Sequence, residues 1–284
     1  MPAEEIEVKG IVLSVFPQGE YGRRLLLLTD RLGKLTVFAS GAAKTGSHLI
    51  GATRPMTCAH FLIAKGRDAW SLHGVRLIAS FDALTRSMDG MLYAMYFLEF
   101  AAYFAQEGME EREAKAMLNL IYVALSALQS AACEPSGAAL LCTVRKKTPA
   151  ISSSDQNVPG CEEAGKLAAA QNVPAQNASA QQVPQARLFA LIRANYELRM
   201  LVIEGEYTEQ PLHARDEAVS ALWRYAIKAP LKKLFDFSEI PVDERAAYTF
   251  IEETKSLLRR QIPHAFRSLN VLEELADSGA AAQI

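Results

Sequence analysis

Seven basic side chains in the first eighty residues, Arg23, Arg24, Lys34, Lys44, Arg54, Lys65 and Arg67, can neutralise phosphates, and two aromatic ones there, Phe38 and Trp70, are candidates to stack on bases. Single-stranded nucleic acid is commonly held in this way, by a cationic groove with aromatic faces, and no fixed motif is needed. Residues 1–80 carry ten Lys and Arg against six Asp and Glu, a net +4, so the −2 of the whole chain conceals a basic head on an acidic body. Taken singly, each of these residues is an ordinary solvated charge. Their collection on one segment carries the reading.

Covalent chemistry finds no comparable constellation. The five histidines, His48, His60, His73, His213 and His264, are scattered, with no HExxH, GxSxG, Walker or dinucleotide-binding pattern. His60 and His73 fall on neighbouring predicted strands and could meet, but no carboxylate or cysteine stands at ligand spacing, so a packing or surface role is the simpler account. A metal-dependent nuclease would need clustered acids, whereas Glu4, Glu5, Glu7, Glu20, Asp30 and Asp68 are spread over turns and the N-terminus. The expectation is a binding protein without catalytic residues, metal or cofactor.

The elements that must position these side chains change character along the chain. Segments 6–16, 23–29, 34–40, 57–65 and 69–77 are rich in Val, Ile, Leu, Phe and Trp and are separated by Gly, Asp or Pro, which predicts five strands in a small barrel. In 34–40, Leu35, Val37 and Ala39 alternate with Lys34, Thr36, Phe38 and Ser40, which puts Phe38 outside, while Trp70 shares its phase with Leu72 and is expected inside. Ile6 and Val8 are out of phase with Ile11, Leu13 and Val15, which predicts a bulge at Gly10. Asp30-Arg31-Leu32-Gly33 has the residues of a hairpin turn, and 41–54, with Gly41, Gly46 and Gly51, suggests a mobile arm over a ligand.

From about Phe81 the apolar period becomes helical. Helices are expected over 91–106, so widely coated with aromatics as to be central, and over 110–129, joined at Gly108, then over 187–204, 214–228, 243–260 and 265–275. Asp243 is a predicted N-cap, Pro263 a stop, and the tail 277–284 should fray. Between them, 133–185 is rich in Ala, Gln and Asn and repeats Gln156-Asn157-Val158-Pro159 as Gln171-Asn172-Val173-Pro174 and Gln181-Gln182-Val183-Pro184, which predicts a disordered insertion. Val144-Arg145-Lys146-Lys147 is its best basic patch. The domain expectation is a barrel over 1–80 and a helical domain in two parts, 81–132 and 186–276. Cys58, Cys133, Cys142 and Cys161 form no CxxC pair and are expected as reduced cytosolic thiols, and charges interrupt the apolar stretches before bilayer length.

The run Lys9-Gly10-Ile11-Val12-Leu13, then Gly19-Glu20, Leu28-Thr29-Asp30-Arg31-Leu32-Gly33-Lys34, Gly41-Ala42 and Arg54-Pro55 resembles the N-terminal domain of the bacterial DNA repair protein RecO family. Tyr196-Glu197-Leu198-Arg199, Ala229-Pro230-Leu231 and Leu269-Asn270 continue the likeness in order and spacing. The resemblance implies an α+β protein: an N-terminal OB-fold barrel followed by an all-α helical bundle. It also implies binding of single- and double-stranded DNA, strand annealing, contact with the acidic C-terminal tail of SSB, and work with RecR to load RecA in the RecF pathway, in the bacterial cytoplasm at the nucleoid.

Two departures accompany the likeness. Many members carry four zinc-binding cysteines where 205–213 here has none, so no structural zinc is expected; Ser40 and Ala43 stand where members often have Lys and Arg, which leaves this loop with fewer charges. A helical adaptor whose barrel binds protein instead of DNA would share the same fold, and salt-dependent binding to oligonucleotides separates the two.

Overall fold

The computed structural model describes residues 5–67, 69–133, 185–237 and 243–281. The insertion expected over 133–185, with its basic patch and its repeats, lies outside them apart from its ends.

Five strands form a closed barrel in the order β1-β2-β3-β5-β4: β1 (Glu5–Gln18), β2 (Gly22–Thr29), β3 (Gly33–Ala39), β4 (Thr57–Lys65) and β5 (Trp70–Ser80). All neighbours are antiparallel except β3 and β5, which meet in parallel at Val37–Trp70 and Phe38–Ser71. Val8, Val12, Leu25, Leu27, Leu35, Val37, Phe61 and Ile63 fill the interior. The alternation in β3 is as its sequence requires, with Leu35, Val37 and Ala39 buried and Thr36 exposed.

The expected bulge at Gly10 is corrected: β1 pairs with β4 in unbroken register through Gly10, and the irregularity lies at Leu13, between the Val12–Leu27 and Ser14–Leu26 pairs. That extra residue lets Val12 and Val15 both turn inward. Ile11 and Leu13 are apolar for a different reason. They point out of the barrel, and with Leu28, Met56 and Phe81 they enter the core of the helical domain.

A 3-10 turn, Asp82–Arg86, leads into α2 (Met88–Phe104), which follows a short α1 (Leu49–Ala52) in the β3–β4 connection. Then come α3 (Glu111–Cys133), α4 (Gln185–Glu204), α5 (Glu217–Lys228), α6 (Glu244–Gln261) and α7 (Arg267–Ala281). The aromatic coat of α2 is core: Tyr96, Phe97 and Phe100 are fully buried, and Phe97 stacks on Tyr196 of α4 at 4.2 Å between ring centroids. The central helix is nonetheless α4, in which every side chain from Leu191 to Leu198 is buried, because α2, α3, α5 and α6 all pack around it. Asp243 caps α6 by accepting from Ala246 N at 2.6 Å, and Asp216 and Ser87 cap α5 and α2. The tail expected to fray continues as helix through Ala281.

By length and composition α3 could cross a bilayer, contrary to the sequence expectation, yet half of its apolar window is buried against the other helices. Cys58 is buried and Cys133 exposed. Burial pushes the Cys58 thiol up to about 11, so it stays protonated and unreactive at neutral pH.

Barrel and helices are locked together at the β2–β3 turn. Gly33 has φ +68°, and a Cβ there would lie 2.1 Å from the Gln106 carbonyl, so only glycine lets the turn reach the end of α2. Lys34 N donates to that carbonyl at 2.9 Å, and Gly108 N donates to Leu32 O at 3.1 Å.

Candidate nucleic-acid interface

The outer surface of β1, β2 and β3 carries a row that the strand register builds directly. Phe16 lies opposite Arg24 and Arg24 opposite Phe38, and Phe38 is followed by Ser71 of β5. The Arg24 guanidinium sits 4.8 Å from the centroid of the Phe16 ring, and Phe16 is 44% exposed. Two rings with a cation between them can stack bases while the cation meets a phosphate, and neither task requires sequence recognition. One strand further, Lys65 lies opposite Trp70 with its ammonium 5.6 Å from the Trp70 ring. Lys65 and Arg67 are exposed at the β4–β5 turn just beyond the end of this row. Trp70 is half-buried, shared between the barrel core and this turn.

The remaining sequence candidates divide into free and committed groups. Lys44 is exposed on the β3–β4 connection, and Arg54 is exposed with only a long 3.9 Å pairing to Asp82. Arg23 is a clamp: its Nη1 donates to Thr53 Oγ1 at 2.7 Å and to the carbonyls of Ile50 and Thr53. That clamp, with Ala42, Leu49 and Ala52 buried, pins the connection on the barrel, so the expected mobile arm is replaced by a fixed wall. Lys34 donates its ammonium to Ala102 O at 2.7 Å, at the C-terminal end of α2, where the helix dipole favours a cation. Burial lowers its pKa, and it faces the helices, away from the aromatic row.

Phe16 and Tyr21 escaped the sequence reading. Tyr21 is 50% exposed at the β1–β2 turn, and its hydroxyl is hydrogen-bonded to Glu20, which raises its pKa. Counting back from that turn, where Gly22 pairs with Gln18, would have put Phe16 opposite Arg24.

His60 and His73 do not pair with each other; they face Glu7 and Glu5 of β1, at 3.8 and 2.6 Å. Among the described residues no group of three or more His, Cys, Asp or Glu could hold a metal ion. The 205–213 connection is held by other means. The buried Glu253 carboxylate accepts from His213 N and Ala214 N at 2.9 Å, and Trp223 Nε1 donates to Thr208 O at 2.8 Å.

A closed five-stranded barrel with its third and fifth strands parallel, a basic and aromatic outer face and a helical bundle behind it defines an OB-fold protein with an appended all-α domain. Residues 1–81 match the family described as Recombination protein O N terminal. The chain is similar to the DNA repair protein RecO of Desulforudis audaxviator (strain MP104C), 34% identical over 108 residues, which covers 38% of this chain and 43% of the relative. It is also similar to the DNA repair protein RecO of Exiguobacterium sibiricum, 31% identical over 117 residues, covering 41% and 45%, and to that of Clostridium novyi (strain NT), 27% over 107 residues, covering 38% and 42%. The likeness to RecO proteins thus lies in the barrel and the residues that follow it, and the match spans less than half the length of these curated relatives.

Proposed function

We propose that this protein is a RecO-type mediator of DNA repair and recombination: it binds single- and double-stranded DNA on the barrel, anneals complementary strands, and helps to load RecA on SSB-coated DNA together with RecR, without catalysis. The observation that carries the reading is the Phe16–Arg24–Phe38 row, with Lys65 and Arg67 beyond its end. Annealing follows from the same chemistry. Strands whose phosphates are neutralised repel each other less, so two coated strands can meet and pair. Such work belongs in the bacterial cytoplasm, at the nucleoid.

The acidic tail of SSB is proposed to meet the helical domain, where a cavity of about 130 Å³ is lined by Leu258, Ile262, Phe266 and Leu269 and by both cations, Lys255 and Arg259, and acids, Glu197 and Glu273. The test is annealing of two complementary labelled strands in the absence of any nucleotide. Acceleration by the wild type at low salt, strongly reduced in Arg24→Ala/Lys65→Ala/Arg67→Ala, is the expected result; no acceleration would leave an adaptor that reaches DNA only through partners.

A further inference from the structure

Arg23 and Arg24 are neighbours on β2 with different duties. Arg24 lies opposite Phe16 in the outer row, and the next pair in the register is Pro17–Arg23, where the β3–β4 connection packs on the barrel. One nitrogen of Arg23, Nη1, makes every contact of the clamp: it donates to Thr53 Oγ1 at 2.7 Å and to the carbonyls of Ile50 and Thr53 at 3.0 and 3.3 Å. A helix end leaves carbonyls without intrahelical partners, and α1 ends here, so a cation is the partner that this end favours. Thr53 is fully buried, and its N and its hydroxyl both donate back to Leu49 O.

The residue after Thr53 is the exposed Arg54, and its backbone is pinned on both sides. Pro55 disfavours helical backbone at Arg54. Met56 is held at φ +64°, with its N donating to Val12 O at 3.1 Å and its side chain in the helical core. Arg23, Thr53 and Arg54 line one concavity with Pro17, one step along β1 from Phe16. The Arg54 cation is therefore presented beside the β1–β2 end of the aromatic row before any ligand arrives, which lowers the entropic cost of a phosphate contact. Lys44 hangs from other anchors, since Ala43 N donates to Tyr21 O and Ser47 N to Lys44 O, both at 2.9 Å.

We propose that Arg23 is a positioning residue for DNA binding: by holding Thr53 and the end of α1 on β2, it fixes Arg54 where a phosphate of the bound strand meets it, and does not itself touch DNA. The proposal rests on the reading of the outer face as a nucleic-acid surface.

The test is a double-mutant cycle on the affinity of the full chain for a labelled thymidine dodecamer at low salt, with hydrogen exchange measured on the same proteins without DNA. Arg23→Ala should bind about threefold to tenfold more weakly, the scale of one long side chain that must be ordered on binding. In an Arg54→Ala background the same change should add less than about twofold, whereas in a Lys44→Ala background it should add its full effect. Thr53→Val, which removes no charge, should reproduce part of the loss. Arg23→Lys should restore most of it, because all three contacts come from one nitrogen and an ammonium offers three donors. The Thr53 amide should exchange faster in Arg23→Ala, while β2 and β3 exchange as in the wild type. A full Arg23→Ala loss in the Arg54→Ala background, Thr53→Val binding as tightly as the wild type, or unchanged Thr53 exchange would overturn the assignment of Arg23 alone. No binding by the wild type would overturn the outer-face reading with it.

Discussion

Phe16→Ala/Phe38→Ala binds a single-stranded oligonucleotide at least about thirtyfold more weakly than the wild type, with little change in the salt dependence. Each ring is expected to stack one base, and a base on an aromatic ring is worth roughly 1–3 kcal/mol. Two such losses multiply, whereas the phosphate contacts that set the salt slope stay in place. The register makes the pair a fair test, because both rings flank Arg24 on the outer sheet face and neither fills the barrel. Arg24→Ala should show the opposite signature, a smaller loss of affinity with a shallower slope. Fluorescence anisotropy over a salt series separates the two. A double variant that binds as the wild type does would remove stacking from the account.

The largest effect on stability belongs to the helical core. Arg193 and Glu197 are one turn apart on α4 with side chains 6% and 1% exposed, their charged atoms 3.4 Å apart, and Tyr96 donates to Glu197 at 2.6 Å. Burial raises the Glu197 pKa, an effect that Arg193 and the Tyr96 hydroxyl oppose. For Arg193, burial works against the cation, but Glu197 and its neighbours hold the pKa above its ordinary value. Removing one partner strands the other in a dry interior, so Arg193→Met should cost about 3–5 kcal/mol. Arg193→Met/Glu197→Leu should recover much of that loss, since replacing both charges by apolar groups of similar volume is often neutral.

The pH dependence has a definite sign. A carboxyl whose folded pKa is raised binds more protons folded than unfolded in the interval between the two values. Its contribution to stability is present below the unfolded pKa and is lost as pH rises through the folded one. Without Arg193 the folded pKa of Glu197 rises further, so the deficit of Arg193→Met should be largest at neutral pH and should shrink toward pH 4. Urea unfolding at the two pH values reads this directly, and a deficit independent of pH would assign the loss to packing.

Much of the barrel was legible because its information is local. Leu35, Val37 and Ala39 alternate with outward residues, and the Asp30–Gly33 turn fixes where β3 starts. The bulge was misplaced because Ile11 and Leu13 are apolar toward the helices, and a sequence marks apolar faces without saying which partner each one meets. Lys34 looked like a free cation for the same reason: the carbonyl that engages it lies 68 residues further on. Arg23 was likewise given to DNA when its ligands are Thr53 and Ile50 of the connection that packs above it. Phe38 stands where its outward phase required, while the places of Arg24 beside it and of Phe16 became visible only through the pairing of β2 with β3 and with β1.

The measurement that tests the central claim most directly is the affinity of the wild-type protein for a fluorescent single-stranded oligonucleotide as a function of salt. Among the cations singled out in the sequence, Arg24, Lys44, Arg54, Lys65 and Arg67 are exposed on the barrel and could meet phosphates. A set of three to five such contacts predicts a log–log slope of about −2 to −3.5, at roughly −0.7 per neutralised phosphate on a single strand. Tight binding at low salt with a slope in that range is the predicted result. No binding at low salt, or binding indifferent to salt, would contradict the account and leave the barrel as a surface for protein.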